Sequence, residues 1–160
     1  MPDKLFALRG RPRARNLKGG QPPRLPTVAS SLFIERLRFV DTRVVGALAK
    51  LGVRSLWELV ELSLTARERR RLAREAGVGE GDVLKLVRIA DMCRVADLEL
   101  AELLVEAGVH TPLELPLRPF EVVYRMVAET AEKLGVELPS QKRVKESWRR
   151  AFNLPPLFDY

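Results

Sequence analysis

The feature that most constrains this chain is a phrase stated twice. "LAKLGVRSLWEL", Leu48 to Leu59, returns 56 positions later as "LVEAGVHTPLEL", Leu104 to Leu115. At that offset Arg38, Asp41, Leu48, Gly52, Val53, Glu58 and Leu59 meet Arg94, Asp97, Leu104, Gly108, Val109, Glu114 and Leu115. Further on the offset becomes 58, pairing Gly77-Val78 with Gly135-Val136, Lys85 with Arg143 and Leu86 with Val144. A unit this small cannot bury both of its apolar faces alone. Two copies, about 38–94 and 94–152, are therefore expected to share one core.

The local signals inside the phrase are helical. Ser55-Leu-Trp-Glu58, Thr65-Ala-Arg-Glu68 and Thr111-Pro-Leu-Glu114 have capping-box spacing, in which a hydroxyl accepts a backbone N–H while the glutamate reaches back. Pro112 sits at a first helical position, where a missing N–H costs nothing. Gly52, Gly77, Gly108 and Gly135 each close an amphipathic run, as left-handed helix stops do. The spacing predicts helices near 28–38, 42–51, 56–62, 65–76, 81–94, 98–107, 112–116, 119–134 and 140–152. Val123, Met126, Val127, Thr130, Ala131 and Leu134 form the clearest buried stripe. No stretch of similar length alternates as a strand does. The expected fold is all-α, with a basic extended tail at 1–26, a duplicated helical body at 27–152 and a C-terminal extension at 153–160.

Charge divides the chain unevenly. The formal net charge is +7, yet residues 1–30 hold seven basic residues against Asp3, while residues 31–160 hold 21 basic and 20 acidic. The tail, with its segment "GRPRARNLKGGQPPRLP", has no apolar period and is punctuated by glycine and proline, so it reads as extended and solvated; fully stretched, 30 residues reach roughly 100 Å. Arg9, Arg11, Arg13, Arg15, Lys18 and Arg24 are its candidate binding residues. Guanidinium groups without fixed geometry suit a polyanion, since each can take a phosphate bidentately and release condensed counterions. An arm packed on a protein partner and a solubilising tail are the competing readings. Within the body, Arg67, Arg70, Arg71 and Arg74 lie at helical spacing on one face, with Glu68 and Glu75 nearby. Lys142, Arg143, Arg149 and Arg150 spread over the last helix, whose inward side is expected to be Val144, Trp148, Ala151 and Phe152. These two groups form a possible secondary patch, or simply solvated faces.

At these residues the chain resembles known proteins. The phrase LxxxGVxS/TxxEL is similar to the second half of a helix-hairpin-helix unit, as in DNA repair proteins and the carboxy-terminal domain of the RNA polymerase alpha subunit. "LAREAGVGEGDVLKLVRIADMCRV", "LAELLVEAGVHTPLEL" and "LPSQKRVKESWRRA", in that order, resemble a bacterial domain-of-unknown-function family with tandem units of this kind, over about 34–152. The resemblance implies a tandem helix-hairpin-helix-like fold, a non-catalytic role and nucleic-acid association. One departure stands out. Nucleic-acid-binding hairpins use a glycine–apolar–glycine turn, so that backbone N–H groups can approach a phosphate. Here the corresponding triplets are Phe39-Val40-Asp41 and Val95-Ala96-Asp97. Both glycines are absent, and each aspartate is expected to cap the following helix.

Composition narrows the remaining classes. No apolar run approaches the roughly 18 residues of a membrane span, and the N-terminus lacks a secretory signal's apolar core. It is Arg-rich and acid-poor like an organellar presequence, but four prolines between Pro12 and Pro26 oppose the amphipathic helix such a signal needs. The one cysteine, Cys93, leaves no partner for an internal disulfide and suggests a reducing cytoplasm. His110 is solitary and no carboxylate spacing singles out a metal site, so neither a metal nor another cofactor is expected, nor a small-molecule substrate or catalysis. The expected role is a non-enzymatic, nucleic-acid-associated protein of the cytoplasm that binds DNA or RNA phosphates mainly through its tail. The alternative is an assembly module whose body docks a protein and whose tail threads into it.

Overall fold

Four Gly-Val pairs punctuate the body, and all four perform the same turn. A computed structural model of the protein describes residues 32–160. In it Gly52, Gly77, Gly108 and Gly135 have φ of 80°, 71°, 101° and 66°, a left-handed conformation that a Cβ disfavours. The N–H of each following valine donates to the carbonyl five residues back. The pairs are Val53 to Leu48, Val78 to Ala73, Val109 to Leu104 and Val136 to Ala131, at 2.9–3.0 Å. This closes the orphan carbonyls at four helix ends.

The helices are α1 (Thr42–Lys50), α2 (Leu56–Glu61), α3 (Ala66–Ala76), α4 (Glu80–Met92), α5 (Leu98–Glu106), α6 (Phe120–Leu134) and α7 (Gln141–Arg150), with 3-10 turns at Ile34–Arg36 and Pro112–Leu117. Among the described residues the regular elements are all helical, apart from one isolated antiparallel bridge, Phe33 to Ser55. The helices α1 to α7 begin and end within two residues of the ranges that spacing predicts.

The starts follow their caps. Thr65 and Glu68 make the complete reciprocal box, and Ser55 accepts from the Glu58 N–H at 3.2 Å. Thr111 makes no cap bond. Instead the Glu114 carboxylate accepts from the His110 N–H, and Pro116, which has no N–H to give, stands inside a 3-10 segment rather than an α-helix.

Helix α4 lies at the centre. Val83, Leu86, Val87, Ile89, Ala90, Asp91 and Met92 are all buried, so it is covered on most sides, by α2, α3 and α5. Helix α6 packs on α5 and α7, burying Val123, Val127 and Ala131. The buried apolar residues form one connected core from Ile34 to Phe158.

Two more expectations need correction, besides the Thr111 cap. Residues 32–38 are not α-helical: Ile34 N–H donates to the Arg54 carbonyl and Leu56 N–H to the Leu32 carbonyl, so the chain is extended at Phe33 beside the loop after α1 and then makes the 3-10 turn Ile34–Arg36. Burying Ile34 and Leu37 as plugs in the core is what that pairing achieves. Phe152 is not an inward residue, being 45% exposed. The backbone turns at Asn153, with φ of 62°, and carries Leu154, Leu157 and Phe158 to the core instead. The remainder of the predicted 28–38 helix and the whole basic tail lie outside the described residues.

Candidate functional site

A hairpin that grips phosphate must leave backbone N–H groups free at its turn, and here several of those groups are occupied. Asp41 accepts from the Arg43 N–H at 2.8 Å, which holds its carboxyl below the usual range. Asp97 accepts from the Leu100 N–H at 2.9 Å. The Glu102 carboxylate, on α5 and 1% exposed, accepts from Arg38 N–H at 2.8 and 2.9 Å and from Phe39 N–H at 2.7 Å. Lys85 donates to the Phe39 carbonyl and pairs with Glu106. Arg143 of α7 pairs with Asp97. Each aspartate turn is therefore held by a cation from a later helix, Lys85 at the first turn and Arg143 at the second.

The expected basic residues divide by burial. Arg67, Arg70 and Arg74 stand exposed along α3 and have no ion pair among the described residues. Arg71 is half-buried, with Nη1 shielded from solvent. Arg70, Ala73 and Arg74 join Val78 and Glu80 around an open depression of about 520 Å³. Glu80 at its rim opposes a small anion inside it, so the arginine row suits contacts along an extended polyanion better. Lys142, Arg149 and Arg150 are exposed on α7. Helix α3 packs with α1 and α4, whereas α7 packs with α6 and the segment 112–117. The two patches belong to different helix pairs. Arg9, Arg11, Arg13, Arg15, Lys18 and Arg24 lie outside the described residues.

Sequence spacing missed a buried polar network around the C-terminal extension. Arg69 is 5% exposed and donates to the carbonyls of Ser63, Leu64 and Asp159 at 3.0, 3.4 and 2.7 Å. Tyr160 donates to Asp91 at 2.7 Å, and Arg94 pairs with Asp91 at 2.8 Å while reaching the Pro155 carbonyl at 2.6 Å. Burial raises the Asp91 carboxyl and the Tyr160 phenol above their ordinary values. The residues after 152 are thereby tied to α3 and α4. An arginine in a run of arginines gives no hint that it alone turns inward; Leu72 and Ala73, at helical spacing from it, carried the available signal.

Cys93 is buried, and loss of solvation pushes its thiol up to about 12, which leaves no nucleophilic thiolate near neutrality. His110 is exposed. Among the described residues no group of three or more His, Cys, Asp or Glu side chains could hold a metal ion, and no helix is long and apolar enough to cross a membrane.

A family model described as "Domain of unknown function (DUF4332)" matches residues 42–153. Comparison with curated proteins gave no match, and comparison with solved structures gave none.

Proposed function

From the premise that the chain belongs to the DUF4332 family, a description that assigns no activity, we propose on its own residues that it is a non-enzymatic nucleic-acid-associated protein. It binds phosphate backbone without sequence preference, chiefly through Arg9, Arg11, Arg13, Arg15, Lys18 and Arg24, assisted by Arg67, Arg70 and Arg74. The body is a duplicated, helix-hairpin-helix-like unit that presents these cations. One observation carries the reading: three arginines project from a single face of α3 without acidic partners among the described residues, on a body whose net charge is otherwise near zero. Unpaired side-chain cations, rather than turn amides, are what remains available to a phosphate.

The test is duplex binding across a salt series. Replacing the six tail cations with glutamine in the full chain lowers the log–log salt slope by about five on duplex DNA if all are engaged. Changing Arg67, Arg70 and Arg74 to glutamate weakens binding further. Equal affinity and equal slope in the glutamine variant would sink the reading.

A protein-docking role has one observation in its favour. Leu117 is 80% exposed in the 3-10 turn, with Leu113 at 37% close by in the chain. Recovery of the protein from its native cells distinguishes the two: partners that survive nuclease and high salt support docking, and nucleic acid lost with nuclease supports the first reading.

A further inference from the structure

The C-terminal end of α7 combines cations with an aromatic ring, Phe152, that the core does not use. Trp148 is half-buried and fixed, its indole N–H donating to the Arg118 carbonyl at 2.9 Å. Phe120 meets it edge-on, with ring centres 6.2 Å apart and planes at 62°. Phe152 also packs against Trp148 edge-on, at 4.8 Å and 79°. Because the chain turns inward only after Phe152, this ring is braced by Trp148 and still 45% exposed.

Lys145 and Arg149 lie one turn apart on α7, and Phe152 follows in the turn just past its end, where its N–H donates to the Arg149 carbonyl at 3.2 Å. The Lys145 ammonium lies 5.4 Å from the Phe120 ring centre. Lys142, Lys145, Arg149 and Arg150 are exposed and none has an ion pair among the described residues, although Glu146 is on the same helix. Arg143 is already engaged with Asp97. A rigid aromatic ring in water, bordered by unpaired cations, matches the chemistry of an unpaired base and its flanking phosphates.

We propose that this face binds single-stranded nucleic acid, with a base stacked on Phe152 and the backbone held by Lys145, Arg149 and Arg150. The proposal rests on the nucleic-acid reading above and adds the substrate class. Bases within a duplex are already stacked on their neighbours and cannot offer a face to Phe152, whereas a single strand can. Phosphate contacts from the tail and α3 do not discriminate between the two; the α7 platform does.

The test compares a twelve-nucleotide oligo-dT with a duplex of the same length, using the full chain and two variants at a residue outside the core. Phe152→Ala is expected to weaken oligo-dT binding about 10-fold or more and to leave duplex affinity within about twofold. Phe152→Trp keeps the affinity and places an indole where the base stacks, so its emission is quenched by oligo-dT and not by duplex. If Phe152→Ala binds both ligands as the parent does, or the new indole is not quenched, the platform is refuted while backbone binding stands. If the parent binds neither ligand, this proposal and the one beneath it both fall.

Discussion

Removing the Glu102 carboxylate tests whether the turn before α1 is held from α5. Glu102 takes up two backbone amides through three contacts of 2.7–2.9 Å, with the Arg38 Nε a further 3.8 Å away. In Glu102→Ala both amides lose their acceptor. An orphaned amide costs about 1–3 kcal/mol, and the value is at the low end here because the Arg38 side chain is 39% exposed and water can reach the turn. Two amides at about 1.5 kcal/mol each give about 3 kcal/mol. Typical domains have only about 5–15 kcal/mol to lose. Urea denaturation measures the difference, and a domain of this size loses roughly 10 °C of Tm for it. Glu102→Gln keeps the volume but offers one oxygen, with its NH2 turned toward the second amide, so about half the loss is expected. Hydrogen exchange supplies the local readout: the Arg38 and Phe39 amides lose protection beyond the global change. A Glu102→Ala protein within about 0.5 kcal/mol of the parent, with those amides still protected, would refute the assignment.

Two further outcomes follow from the buried network. Arg69→Met keeps the packing volume but strips three carbonyls of their donor; a loss of about 2–3 kcal/mol is expected, with fast exchange at the Asp159 amide, and unchanged exchange there would count against the C-terminal extension being tied down by Arg69. Asp91 makes stability depend on pH: burial raises its folded value above 3.8, so its contribution is present below about 3.8 and is lost as pH climbs through the raised value. The stability gap between parent and Asp91→Asn, measured by urea unfolding from about pH 3 to about pH 6, therefore shifts against the parent as pH rises, and a shift in its favour would reverse the sign argued here.

What was legible in the sequence was what short range decides. A glycine at the end of an apolar run has few alternatives to the left-handed stop, and Gly52, Gly77, Gly108 and Gly135 all adopt it. Ser55, Thr65, Asp41 and Asp97 cap helices that begin a residue later, because cap and N–H are neighbours in the chain. The same locality exposed the missing turn glycines, and with them the capture of the Arg43 and Leu100 amides by Asp41 and Asp97. The arginine row on α3 could be drawn from periodicity. Its Arg71 could not be told from its exposed neighbours.

Contacts across the chain were decided only by the tertiary structure. Glu102 reaches Arg38 over 64 positions, Arg69 reaches Asp159 over 90 and Tyr160 reaches Asp91 over 69. No periodicity encodes such pairs, since a buried carboxylate or guanidinium looks in sequence like any solvated one. The competition between Phe152 and Phe158 for the core is of the same kind. Both are phenylalanines that follow the last helix, and the turn at Asn153 delivers the second inward and leaves the first in water. The chain's own order specified helices α1 to α7 and their ends. Which polar groups could be buried, and which aromatic ring was left outside, depended on where those helices came to rest against one another.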